Sequence, residues 1–212
     1  MDTGPKTGEV ETAEPLPSLY GNRGLGWVLL IGGGIGLLAS FMLTIEYIHS
    51  LTEPDAQLLC DVNVFVTCQP AMNSSAGAIL GFPNVILGLV SFTIAVVSGV
   101  VLLAGSALPR WYWIGLQVGL LGGAVLITYL QWYSGFQLRA LCLWCMVIWT
   151  ATIPTFALTT IGNLANGRLG RGGIRAGRGL AQWAWVVIVV WYLAVIGLVL
   201  AGMWDIIRLS MI

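Results

Sequence analysis

Chemistry in this 212-residue chain rests on four cysteines, which fall in sequence as Cys60 and Cys68, then Cys142 and Cys145. Cys142-Leu143-Trp144-Cys145 opens a long apolar run. At the first turn of a helix, two thiols three positions apart are neighbours. The free backbone N–H groups and the positive end of the helix dipole favour a thiolate there. A thiolate poised against its own partner is the working part of a dithiol/disulfide redox centre. The same spacing also suits two core cysteines, an inert local disulfide or half of a zinc site. What decides between them is where the chain carries Cys60 and Cys68.

The elements that must position these sulfurs are set by composition. The chain is 58% hydrophobic and only 8% charged, with mean hydropathy +0.89, which identifies an integral membrane protein. Its formal net charge is zero, so nothing argues for nucleic acid. Ten tryptophans suit rings at the membrane–water interface.

In chain order, residues 1–23 read as a disordered cytoplasmic tail, carrying Asp2, Glu9, Glu11 and Glu14 among prolines. Its acidity and the length of the apolar run after it argue against a signal peptide. A first span is expected over about Gly24–Ile48, with Gly32, Gly33, Gly34 and Gly36 as a smooth face for helix contact. Glu46 and His49 lie near its end and read as solvated. Residues 49–81 form the longest inter-span segment, expected as an exoplasmic surface loop with a short helix over about Asn73–Leu80. Pro83 suits the first turn of a second span reaching about Ala104. A third span, about Trp111–Tyr133, carries Gly115, Gly119 and Gly123 as a small ridge for packing. The fourth runs from Cys142 to about Ile161, completing a four-span bundle over residues 24–161. Residues 162–181, with Arg168, Arg171, Arg175 and Arg178, read as a flexible basic cytoplasmic loop held by anionic lipid. Residues 182–212 supply a fifth span, about Gln182–Trp204, and a short exoplasmic C-terminus.

Orientation decides the compartment. Lys6, Arg23, Arg110 and the four arginines of residues 162–181 share one side, whereas the other has Arg139 and Arg208. The positive-inside rule then puts the N-terminus in the cytoplasm of a multi-pass cell (inner) membrane protein. All four cysteines fall on the exoplasmic side at similar depth, where disulfides persist. Thiol–disulfide exchange can move electrons from a loop pair that a soluble protein reaches to a helix pair at the membrane. From there they need a lipid-soluble two-electron acceptor, and a quinone fits.

Thr44-Ile45-Glu46, Cys60-x7-Cys68, Ser74, Gly81-Phe82-Pro83-Asn84 and Leu141-Cys142-x-x-Cys145 together resemble the vitamin K epoxide reductase family. More narrowly they resemble its bacterial members that oxidise secreted proteins. The resemblance covers about residues 25–161 and implies an all-α membrane protein, a four-helix bundle around a quinone site, with the fifth helix added. It implies that Cys142 and Cys145 lie beside the quinone, with Cys145 as the sulfur that reacts with it. Cys68 exchanges with Cys142, and Cys60 completes the shuttle pair facing the partner. Ser74 covers the quinone site from the loop, and Asn84 hydrogen-bonds a quinone oxygen. Trp149 stands where the family often has tyrosine; its indole N–H donates but cannot accept, so it binds or packs against the ring.

The expected activity is a quinone-dependent thiol oxidase that makes disulfides for secreted proteins. Its cofactor is menaquinone or ubiquinone from the membrane pool. Many bacterial relatives continue into a fused thioredoxin-like domain; this sequence ends at Ile212, so a separate exoplasmic thioredoxin-fold disulfide donor is the expected partner. Three other readings use the same residues: vitamin K-type quinone or epoxide reduction, a non-enzymatic scaffold or small transporter with static disulfides, and a four-thiolate zinc site.

Overall fold

A computed structural model describes residues 16–53, 58–61 and 66–210. The tail to residue 15 and the last two residues lie outside the described part, as do segments 54–57 and 62–65 of the loop. Seven α-helices are described: α1 (Asn22–Thr52), α2 (Gln69–Met72), α3 (Asn84–Leu103), α4 (Arg110–Tyr133), α5 (Leu143–Ala165), α6 (Ile174–Gln182) and α7 (Ala184–Ser210). Five of these segments are long and apolar enough to cross a membrane, as expected. Helices are what such sequences must form, because lipid offers no partner for backbone N–H and C=O groups.

The bundle is built on α1, which packs against both α3 and α5. Gly33 and Gly36 admit Ala95, Val96 and Phe92 of α3, and at Gly99 an added Cβ would lie 2.7 Å from Leu30 N. Gly32 instead faces Thr155 of α5, and Gly34 meets nothing. The glycine run of α1 therefore serves two helices rather than one face. Small residues let backbones approach closely, and dispersion then holds the helices where lipid provides no hydrophobic drive.

The second glycine ridge behaves differently. Gly115, Gly119 and Gly123 on α4 have no atom near where a Cβ would stand. The helix contact expected there is absent, and these glycines border an open slot between α3 and α4. The two helices meet only toward the end remote from the cysteines. There Ser98 Oγ and Tyr112 Oη share a 2.6 Å hydrogen bond, and Leu102, Trp113 and Leu116 cluster with Leu25 and Leu29.

Three loop expectations also change. Residues 18–20 form a 3₁₀ turn, not disordered tail: Tyr20 is buried among Ile161, Ala181 and Ala184, and its Oη donates to Ala181 O at 3.1 Å. The segment read as a flexible basic loop contains α6, seated by Gly177 against Ala165 with no space for a Cβ. Arg168 lies over the Trp113 ring, 3.8 Å from its centroid, and donates to Asn163 Oδ1 (3.2 Å) and Asn22 Oδ1 (2.7 Å). Burial lowers its pKa to about 10, and it ties three segments together rather than joining the exposed Arg171, Arg175 and Arg178. In place of the helix expected over about Asn73–Leu80 there is a 3₁₀ turn, Ser75–Ala78, preceded by the single-turn helix α2.

Candidate redox site

Two local devices bring Cys142 to its place. The end of α4 widens into a π-helical turn, Ser134–Leu138, and Arg139 then takes a left-handed conformation, φ 52°. For a non-glycine residue that costs about 1 kcal/mol, and it turns the chain into the short segment ahead of α5. Leu141 there pairs with Val66 in a parallel bridge, and its carbonyl accepts from Thr67 N at 2.9 Å. This short ladder lays the Cys68 segment alongside the Cys142 segment.

The sulfurs follow from that register. Cys60 and Cys68 form a disulfide, while Cys142 and Cys145 are free. Cys142 Sγ lies 3.0 Å from Cys68 Sγ, closer than unbonded packing needs. Cys142 is the N-cap of α5, and its sulfur accepts from Cys145 N at 3.4 Å. A hydrogen bond from the Cys145 thiol, helped by the backbone N–H groups of Cys145 and Trp144, holds the Cys142 pKa below that of an ordinary thiol. Burial and the Asp61 charge oppose this shift without reversing it. Leu43, Leu58, Met72 and Val85 close the cluster around these sulfurs with apolar side chains.

Cys145 faces the other way, onto a cavity of about 410 Å³. That is within the usual size range of a small-molecule site. Its lining near the cysteines includes Ser74, Asn84, Ile148 and Trp149; it continues along the α4 glycine ridge toward Tyr112. Among the expected contact residues, Ser74 donates to Ala71 O at 2.8 Å and accepts from Gly77 N at 3.2 Å, fixing the loop that roofs the cavity. Asn84 Nδ2 donates to Ala76 O at 2.6 Å, and Oδ1 accepts from Ile79 N at 3.3 Å, which leaves one Nδ2 hydrogen uncommitted. Trp149 is buried in the wall with Ile127 and Ile153.

Two expectations are corrected here. Cys60 is 0% exposed, so the cysteine expected to face a partner is covered, while neighbouring Leu59 is 84% exposed. Glu46 is not solvated but 4% exposed, because the loop folds back over the end of α1 and Leu59 N donates to Glu46 Oε2 at 3.2 Å. His49 does remain outside, beside Glu53 at 3.7 Å.

Asp61, which neither the cysteine spacing nor the resemblance points to, also belongs to the cysteine cluster. Its Oδ1 accepts from Thr67 Oγ1 (2.6 Å) and Cys68 N (3.1 Å), anchoring the sulfur that meets Cys142. A carboxylate directly after a cysteine, in a chain only 8% charged, was the available signal. Asp61→Asn keeps an oxygen acceptor but removes the charge that disfavours the Cys142 thiolate. The pH at which that thiolate appears in ultraviolet absorbance should therefore fall relative to wild type; an upward shift would mean that Asp61 acts mainly by holding the loop.

None of the curated proteins matches the chain. The family model for the vitamin K epoxide reductase family matches residues 27–160, the stretch holding all four cysteines and the cavity. With helices that can span a membrane, a disulfide in contact with a second cysteine pair, and that match, the chain belongs to the vitamin K epoxide reductase family of membrane oxidoreductases.

Proposed function

We propose that this protein is a thiol oxidase that takes electrons from an exoplasmic thioredoxin-fold partner and delivers them to the membrane quinone pool. The observation that carries the reading is the 3.0 Å approach of Cys142 to a sulfur of the Cys60–Cys68 disulfide, with Cys145 on the cavity wall. Static disulfides would not need that approach.

The steps balance as thiol–disulfide exchange. A partner dithiol reduces Cys60–Cys68, leaving as a disulfide, and the loop pair becomes two thiols. The Cys68 thiolate attacks Cys142 of a Cys142–Cys145 disulfide; the Cys68–Cys142 bond forms and Cys145 departs as thiolate. Cys60 then attacks Cys68, restoring the loop disulfide and releasing Cys142. Cys60–Cys68 joined with Cys142 and Cys145 free is the arrangement this transfer would leave, which supports the proposed order. The lowered pKa of Cys142 makes it the better leaving group in that last exchange. Burial of Cys60 means that the loop must lift to admit the partner.

A quinone supplies an acceptor for two electrons and two protons, which lets Cys142 and Cys145 close their disulfide again. The cavity residues fit such a molecule. The walls are apolar along α3 and α4, and the polar groups are few. The fully buried Ser40 hydroxyl, on the wall, has no partner among the described residues, and Asn84 retains a donor hydrogen. Ser74 and Trp149 line the cavity beside Cys145. We assign the glycine-lined slot to the isoprenoid tail.

The direct test is quinone consumption, followed by ultraviolet absorbance, on mixing the purified protein with a reduced thioredoxin-fold protein. Absorbance should fall in step with partner oxidation; a partner that stays reduced while a vitamin K epoxide is consumed with a small dithiol would favour the reverse use of the site. The slot adds a finer test. Gly119→Leu fills space where a Cβ meets nothing, so the helix tolerates it. KM for a long-chain quinone should rise about tenfold, equivalent to roughly 1.4 kcal/mol. A short-chain analogue should be unaffected; equal effects on both would remove the tail from this slot.

A further inference from the structure

The relay leaves α7 without a task, yet one face of it is closely seated. Ile188, Trp191, Tyr192 and Val195 recur at three- and four-residue spacing and pack against Ile127, Trp149 and Ile153. Trp191 meets Phe156 edge-on at 5.8 Å. The stripe continues to Gly202, where an added Cβ would stand 2.5 Å from Gly135 O in the π-helical turn. Residues on the other side, including Val190, Leu193 and Ile196, are exposed.

Pro154 explains why α5 needs this neighbour. It lies inside α5 and has no N–H, so the Thr150 carbonyl, four residues earlier, loses its helical donor. Water cannot replace that donor within hydrocarbon. Tyr192 Oη donates to Thr150 O at 2.7 Å, supplying from α7 the bond that α5 cannot make.

We propose that α7 is a brace for the cysteine-bearing corner, with Tyr192 and Gly202 as positioning residues. Tyr192 satisfies the carbonyl that Pro154 leaves without a helical donor and so sets the N-terminal half of α5, which carries Cys145, Ile148 and Trp149 to the cavity. Gly202 seats the π-helical turn, from which the chain runs through Arg139 and Leu141 to Cys142. The effect on turnover rests on the quinone-linked relay proposed above; the effect on the cysteine pair does not.

The test is a double-mutant cycle of Tyr192→Phe with Pro154→Ala in the full-length protein. One readout is the Cys142/Cys145 dithiol–disulfide equilibrium against a dithiothreitol redox series. The other is the single-turnover reoxidation rate of the reduced protein by a short-chain quinone. Tyr192→Phe alone should change both by about threefold, the weight of one interhelical hydrogen bond. Against a Pro154→Ala background, where residue 154 regains its N–H, the same change should have no effect. Tyr192→Phe titrating like wild type, or an equal effect in both backgrounds, would overturn the proposal. Should Pro154→Ala fail to fold, Gly202→Leu against Gly197→Leu decides. Gly197 is on the same helix, with open space at its Cβ. Only Gly202→Leu should shift the dithiol equilibrium, and identical behaviour of the two would equally sink the brace. A shifted dithiol equilibrium in a protein that never reduces quinone would retain the brace and remove the quinone reading instead.

Discussion

Cys145→Ala is expected to abolish quinone reduction, by about a thousandfold or more, as loss of a residue acting within a catalytic unit does. The reason is positional. Among the four sulfurs, Cys145 is the one on the cavity wall, whereas Cys142 is fully buried against Cys68. Without Cys145 no disulfide can form in α5, and electrons arriving from the loop have no sulfur beside the acceptor. The loop disulfide should still be reducible by dithiothreitol, since its own two cysteines are untouched. Stopped-flow quinone absorbance together with mass analysis of alkylated thiols measures both. Turnover within tenfold of wild type would place the acceptor's contact elsewhere.

Cys68→Ser should separate the two halves of the relay. Oxidation of a protein dithiol is expected to fall about a hundredfold or more, because the exchange partner of Cys142 is gone. Quinone reduction driven by a small dithiol should persist, because such a reagent can reduce the α5 pair without the loop. The serine retains the backbone N–H that donates to Asp61, so the loop keeps its anchor. Equal loss with both reductants would show that Cys68 matters for folding rather than transfer. Unchanged activity with the protein dithiol would remove the relay altogether. The contrast between reductants, not the size of either loss, carries the interpretation.

The slot and the brace change how familiar sequence signals are read. A glycine ridge at four-residue spacing says that side chains are missing from one face of α4. Whether another helix or a void takes that space depends on the neighbour. On α1 the space is filled by α3 and α5, but on α4 it stays open beside α3. Pro154 is likewise legible as a missing backbone donor in α5, but the replacement comes from Tyr192, thirty-eight residues later in the chain. The ridge's spacing does not say what lies opposite it, and the Tyr192 bond depends on one side chain meeting one backbone atom across an interface.

From sequence alone came the membrane class, the five spans, the Cys-x-x-Cys at a helix start and the family resemblance. These rest on local sums and spacings: apolar runs long enough for the bilayer, and thiols at the end of a run. The tertiary structure decided the rest. It buried Cys60, covered Glu46 with the returning loop, and recruited Asp61 to hold Cys68, while the Cys60–Cys68 pair and its contact with Cys142 follow what the resemblance implied. Those outcomes depend on how segments far apart in the chain cover one another, and burial is a property of the covering segment as much as of the residue covered.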